Sequence, residues 1–152
     1  MDRLLEFSVN HWDLVLALII ILMMTFGGGI MRRIRGFKEV TAVDAVALMN
    51  REEAAYIDVR EDKEYSEGHL LGSVHIPLGQ LLDRIDELDK YRQKPVIVGC
   101  RSGNRSAMGC ARLRKAGFEQ VYNLQGGILA WQNVNLPIEH GDGKAKRKKK
   151  RK

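Results

Sequence analysis

The pattern of apolar and polar positions along the chain changes near residue 38. Residues 14–31 form a run of eighteen residues without a charge, whereas residues 39–138 alternate short apolar segments with helical periodicities. As a helix, the uncharged run would reach about 27 Å, close to the hydrocarbon thickness of a bilayer, so it predicts one transmembrane helix. The pattern therefore predicts a membrane anchor with a basic flank over residues 1–38, a domain over residues 39–138 and a tail over residues 139–152.

The residues on either side of the uncharged run decide between its interpretations. A cleaved signal peptide needs a basic region before the apolar run, but three acidic residues and only one basic residue precede this one. A core helix is also less favoured, because a run that is apolar on every face has no side for solvent. Four basic residues lie between positions 32 and 38. By the positive-inside rule we expect the N-terminus outside and the domain in the cytoplasm. The size and architecture of the chain indicate a single-pass protein of a bacterial inner membrane.

The segments of residues 39–138 predict an α/β domain. Short apolar runs favour strands, while the capping residue Thr41 and apolar residues at helical spacing favour helices. Strands that alternate with helices over about a hundred residues indicate a mostly parallel sheet with helices on both faces. The predicted strands are residues 55–59, 74–76, 95–99 and 120–124, and the predicted helices follow Thr41 and cover residues 78–88, 106–116 and 127–132.

The charge of the chain is concentrated at its C-terminal end. Of 25 basic residues, eight lie in residues 144–152, so the other 17 face 19 acidic residues and the rest of the chain carries −2. The composition therefore predicts a disordered polybasic tail rather than a nucleic-acid-binding domain. Anionic lipid and ribosomal RNA are both open as partners of this tail, but no aromatic residue is interleaved to stack on bases.

The cysteine content excludes two further classes of protein. Two cysteines are too few for a disulfide-rich secreted scaffold, and with four histidines they show no zinc-binding spacing. A hydrophobic content of 45% also excludes global disorder. We therefore expect no metal site, and the cysteines must be assigned another role.

One of the two cysteines lies where a reactive group is expected. Cys100 directly follows the predicted strand 95–99, and a helix is predicted from Ser106 onward. Ligands bind beyond the carboxyl ends of parallel strands, and helix N-termini and cationic neighbours lower the pKa of a thiol. Gly103 permits a tight loop, and Arg101 and Arg105 add positive charge. A nucleophilic thiolate with its own anion-binding loop is therefore favoured over an inert buried cysteine.

The segment CRSGNRS (Cys100–Ser106) resembles the active-site loop of rhodanese-homology sulfurtransferases, particularly the single-domain forms. Three further segments fall in that family's order: IDVR at 57–60, EYSEGHLLGS at 64–73 followed by Ile76-Pro77, and Gly117-Phe118 followed by LQGG and Ala130-Trp131. The resemblance covers residues 39–138. It implies a five-stranded parallel sheet with helices on both faces, here preceded by the transmembrane helix.

The resemblance also implies a reaction and a set of residues for it. Cys100 would take sulfane sulfur from a donor such as thiosulfate as a persulfide, and a thiol, a protein acceptor or another nucleophile would then remove it, without any cofactor. Asp58 and Arg60 would have a structural role. The residues implied in binding the persulfide and the anionic donor are Arg101, Ser102, Gly103, Asn104 and Arg105.

Two functions other than sulfur transfer also require comparison with the sequence. A cysteine phosphatase needs an arginine six residues after the cysteine, but Ser106 stands there and Arg105 comes one residue early, which disfavours it. A membrane-tethered interaction module, using the domain surface and the polybasic tail with little catalysis, stays open. The remaining candidates, Cys110, His69 and His75, are expected to be structural.

Overall fold

The chain divides into two units, residues 1–36 and residues 37–152. The computed structural model describes residues 11–22 and 36–141. The predicted polybasic segment 144–152 lies outside the described residues.

The prediction of a transmembrane helix is wrong for the described residues. Among these residues, 12–22 are helical. No helix within residues 11–22 and 36–141 is long and apolar enough to cross a membrane. Residues 23–31, the rest of the predicted span, lie outside the described residues. The structure therefore does not support the predicted single-pass location in an inner membrane or the orientation that followed from it.

The second unit is built on a five-stranded sheet in which every neighbouring pair of strands is parallel. The order of the strands is β1-β5-β4-β2-β3, so β4 lies at the centre. The predicted parallel α/β sheet is confirmed. The strands are β1 (Lys38–Val40), β2 (Ala55–Asp58), β3 (Val74–His75), β4 (Val96–Gly99) and β5 (Val121–Leu124).

The helices differ from the predicted ones in three places. They are α1 (Ala42–Arg51), α2 (Asp62–Ser66), α3 (Asn104–Lys115) and α4 (Gly127–Asn133). The short α2 was not predicted, and α3 begins two residues earlier than expected. The predicted helix 78–88 is instead two 3-10 segments, Leu78–Gln80 and Ile85–Tyr91. Its apolar residues fit the spacing of an α-helix, so the sequence pattern does not distinguish the two kinds of helix here.

The sheet is covered on both faces, as predicted. Alternate residues of a strand point to opposite faces, so neighbours such as Tyr56 and Ile57 belong to different apolar clusters. One cluster joins Ile57 and Val98 to α3 and the 3-10 segments, and the other joins Tyr56 and Ile97 to α1 and α4. The carboxyl ends of the central strands therefore lie between two packed layers.

The Tyr56 hydroxyl lies buried beneath the end of β4. A Cβ atom at Gly99 would collide with this oxygen, which explains why the strand ends in glycine. Among the described residues the hydroxyl has no hydrogen-bond partner, and Tyr56 is 2% exposed. An unpaired buried polar group costs stability.

We predict that Tyr56→Phe leaves the free energy of unfolding unchanged or raises it by about 1 kcal/mol, because the change removes the unpaired oxygen and keeps the ring. Urea denaturation of the full chain measures this. Tyr65→Phe is the matched control: the Tyr65 hydroxyl bonds the Ser73 Oγ atom at 3.0 Å, so its loss should cost about 0.5–1.5 kcal/mol. If Tyr56→Phe lowered the free energy of unfolding more than Tyr65→Phe does, the Tyr56 hydroxyl would have a hydrogen-bond partner and the prediction would be contradicted.

Candidate active site

Cys100 lies at the carboxyl end of the central strand β4, in the loop that leads into α3. The loop turns at Gly103, whose φ of 102° lies in the left-handed region that favours glycine, and this residue is the N-cap of α3. The Cys100 side chain is only 1% exposed and belongs to the apolar cluster beneath α3. The thiol is therefore held at the base of the loop.

A backbone amide and a side-chain hydroxyl lie within hydrogen-bond distance of the sulfur of Cys100. The amide of Gly103 donates to the Sγ atom at 3.1 Å, and the hydroxyl of Ser106 lies 3.4 Å from the same atom. The Ser106 hydroxyl also lies 3.0 Å from the Gly103 carbonyl. A hydroxyl carries a single proton, so it donates to one of these acceptors at a time. It can therefore turn toward the sulfur when the sulfur becomes negative.

These donors change the acidity of the thiol. Burial raises the pKa of Cys100, but donation from the Ser106 hydroxyl and from the amides of Ser106, Gly103 and Ser102 outweighs it, so the pKa lies below its ordinary value. From the sequence, the backbone N–H groups of the loop, a helix N-terminus and two arginines are expected to lower this pKa. In the structure, the hydrogen-bond donors of the loop are the main cause of the lowering. Ser106 belongs to the CRSGNRS motif, but it was not among the site residues predicted from the sequence.

The first turn of α4 holds the loop from the other side. The amide of Ile128 donates to the Cys100 carbonyl at 2.8 Å, and the amide of Leu129 donates to the Arg101 carbonyl at 3.3 Å. A Cβ atom at Gly127, where φ is 59°, would collide with both carbonyl oxygens. The glycine pair of the LQGG segment thus lets α4 approach the backbone of the loop closely.

A third element, β5, also contacts the loop. The Asn123 side chain is 3% exposed, and its Nδ2 atom donates to the Gly103 carbonyl at 3.3 Å. Its Oδ1 atom has no partner among the described residues. Sequence reasoning missed Asn123, although a polar residue inside a buried strand was a signal for it.

The structure separates the two arginines of the loop. Arg101 is exposed, as are Ser102 and Asn104. Arg105 is partly buried, and its Nη1 and Nη2 atoms each donate to a carboxylate oxygen of Glu64 at 2.6 Å. Both arginines were expected to receive an anionic donor. In the structure, Arg105 is already paired with the carboxylate of Glu64.

Asp58 and Arg60 form a buried ion pair at the end of β2, next to the site. The Arg60 Nη2 atom lies 2.7 Å from the Asp58 Oδ2 atom. Arg60 also donates to the carbonyls of Glu64 at 3.0 Å and of Gly68 at 2.7 Å. These contacts fit the structural role that the resemblance implied, because they fasten α2 and the following loop to the sheet.

The remaining candidate residues have packing contacts. Cys110 is fully buried on α3, and burial raises the pKa of its thiol. The rings of His69 and His75 stack on the two sides of Tyr65, with centroid distances of 3.9 and 4.1 Å. These contacts agree with structural roles for Cys110, His69 and His75.

Comparisons with known proteins find a matching domain family and several similar proteins. The sequence model described as Rhodanese-like domain matches residues 41–134. The uncharacterized protein YibN of Escherichia coli (strain K12) is 31% identical over 142 residues, which are 93% of this chain and 99% of that protein. A protein of Allochromatium vinosum named sulfurtransferase is 34% identical over 108 residues, covering 68% of this chain and 99% of its own length.

Solved structures agree with the sequence comparisons. A rhodanese-related protein from Thermoplasma volcanium matches with a TM-score of 0.61 at 29% identity, covering 68% of this chain and 98% of that one. Neither the fold nor these similar proteins support a membrane lipid or ribosomal RNA as a partner.

We predict that Ser106→Ala raises the pKa of Cys100, because it removes one donor to the thiolate. Only the thiolate reacts with iodoacetamide, so well below both pKa values the alkylation rate should fall. Ser102→Ala is the matched control, because residue 102 acts through its amide, which alanine keeps. Equal pH profiles for the two variants would contradict the role of the hydroxyl.

We predict that Gly127→Ala destabilises the fold by about 2 kcal/mol more than Gly72→Ala. Both glycines have a positive φ, 59° and 74°, so the backbone strain of alanine is shared. Only the Cβ atom at residue 127 meets the loop, whereas the one at residue 72 meets nothing within 4 Å. Urea denaturation compares the variants, and an equal loss of stability would show that the contact with the loop is unimportant.

Proposed function

The chain belongs to the rhodanese-like domain family, and on that premise we propose that it is a sulfurtransferase that carries sulfane sulfur on Cys100. The sulfur comes from a donor such as thiosulfate and passes to a thiol, a protein acceptor or another nucleophile. The observation that carries the proposal is the buried sulfur atom with two donors within hydrogen-bond distance of it, the Gly103 amide at 3.1 Å and the Ser106 hydroxyl at 3.4 Å.

The first half-reaction begins from the thiolate. The Cys100 sulfur attacks the outer sulfur of thiosulfate, a new S–S bond forms, and the S–S bond of the donor breaks with its electron pair leaving on sulfite. The charge of −3 on the reactants stays −3 on the products, a Cys100 persulfide anion and sulfite. The loop donors that favour the thiolate also favour the persulfide anion, because both carry the negative charge on sulfur.

The second half-reaction returns the enzyme to its starting state. A nucleophile attacks the outer sulfur of the persulfide, and the Cys100 thiolate is the leaving group. A thiolate that is stabilised by hydrogen bonds leaves more readily, so the lowered pKa of Cys100 helps both halves of the cycle. The name of the Allochromatium vinosum relative, sulfurtransferase, supports this assignment.

We predict that the full chain converts thiosulfate and cyanide into sulfite and thiocyanate, and that Cys100→Ser lowers this activity at least about a hundredfold by removing the nucleophile. Mass spectrometry of the chain treated with thiosulfate alone should show one added sulfur atom on Cys100. Cys110→Ser is the matched control and should keep the activity, because its thiol is buried and its pKa is raised.

The proposal fails if the chain is folded by circular dichroism and yet gains no sulfur on Cys100 from thiosulfate, from an aryl thiosulfonate or from a small organic persulfide. It also fails if Cys100→Ser keeps its activity while Cys110→Ser loses it.

A further inference from the structure

Glu64 reaches the active-site loop from α2 and is bound to it by two hydrogen bonds. Both of its carboxylate oxygens accept from Arg105 at 2.6 Å. The side chains are 27% and 32% exposed, so the pair is partly shielded from solvent. The hydrogen bonds with Arg105 lower the pKa of Glu64, although burial opposes them, and Glu64 is therefore ionised at neutral pH.

The position of Glu64 is fixed independently of Arg105. Its carboxylate completes a capping box at the start of α2, accepting from the Glu61 amide at 3.3 Å. Its carbonyl accepts from Arg60 at 3.0 Å, and Arg60 is held by the buried Asp58. The end of β2 thus sets where this negative charge lies.

The negative charge of Glu64 lowers the net positive charge that a sulfur donor encounters at the active-site loop. Two arginines and one thiolate would give the loop a net charge of +1. With Glu64 beside Arg105, the same groups sum to zero. A donor with two negative charges therefore gains less from this site than the sequence of the loop suggests, whereas a donor with one or none loses little.

We propose that Glu64 is a specificity-determining residue that makes the site favour sulfane-sulfur donors of low negative charge, such as organic persulfides and thiosulfonates, over the thiosulfate dianion. The proposal rests on the sulfur transfer proposed above and names the class of donor for it. With an organic persulfide R–S–SH, the Cys100 thiolate attacks the outer sulfur and the S–S bond of the donor breaks. The electron pair leaves on R–S⁻, and the proton stays on the new Cys100 persulfide, so atoms and charge balance.

Glu64→Gln tests the charge with little change of shape. Glutamine is accepted at the same position of a capping box and keeps a carbonyl oxygen for Arg105. We expect kcat/KM for thiosulfate, divided by kcat/KM for the monoanion benzenethiosulfonate, to rise about threefold at low salt. That is the effect of one unit charge about 6 Å away at the dielectric constant of water. The rise should come from a lower KM for thiosulfate rather than from a higher kcat, and it should shrink at 0.5 M salt, where the Debye length is only a few Å.

Glu53→Gln is the matched control. It removes one negative charge that is paired with Lys94 at 2.8 Å, but residues 53 and 94 precede β2 and β4 and so lie at the opposite edge of the sheet from Cys100. In this variant, kcat/KM for thiosulfate divided by kcat/KM for benzenethiosulfonate should equal the ratio in the unchanged chain. Glu64→Asp, which keeps the charge and alters the geometry, should also keep the ratio.

The outcomes separate this proposal from the one on which it rests. If Glu64→Gln leaves the ratio unchanged, or if Glu64→Asp shifts it equally, charge selection by Glu64 is overturned while sulfur transfer stands. If the folded unchanged chain takes sulfur from neither donor, the sulfurtransferase proposal itself fails. Thermal denaturation of each variant accompanies the kinetics. If Glu64→Gln does not fold, Glu64→Ala supplies the neutral side chain for the same comparison.

Discussion

The site depends on how hydrogen-bond donors are arranged around one buried sulfur atom. Cys100 is almost fully shielded from solvent, and burial alone would make its thiol less acidic. The Ser106 hydroxyl and the loop amides reverse that effect. The same donors suit every charged sulfur species of the proposed cycle, because each is an anion at or next to the same position. A site of this kind depends on a loop whose backbone stays in place.

The surrounding fold supplies that fixed backbone. The central strand β4 ends at Gly99 directly before the cysteine, and α3 begins at Asn104 directly after the turn. The amides at the start of α4 hold the carbonyls of the loop, Asn123 on β5 holds the Gly103 carbonyl, and the Asp58–Arg60 pair fastens the segment that carries Glu64. Three neighbouring strands therefore converge on one loop, which is what the parallel arrangement of the sheet permits.

The sequence predicted the parts of this arrangement that are local, and it missed those that depend on long-range contacts. The alternation of apolar segments identified four strands and the sheet type, and the glycine and cysteine of the loop identified the site. The three-residue strand β1 has two exposed residues of three, so it carries no apolar pattern. The partner of Arg105 lies 41 residues away, and no spacing in the loop indicates it. The uncharged run 14–31 has the composition of a membrane span, but no helix of the described residues is long and apolar enough to cross a membrane.

The most direct test of this account is a titration of the thiols in the unchanged chain, followed by the ultraviolet absorbance of the thiolate. Cys110 has a raised pKa, so the transition at lower pH belongs to Cys100. The account predicts a midpoint for Cys100 below the ordinary value of about 8.5. A folded chain in which no thiol ionises below that value would contradict it.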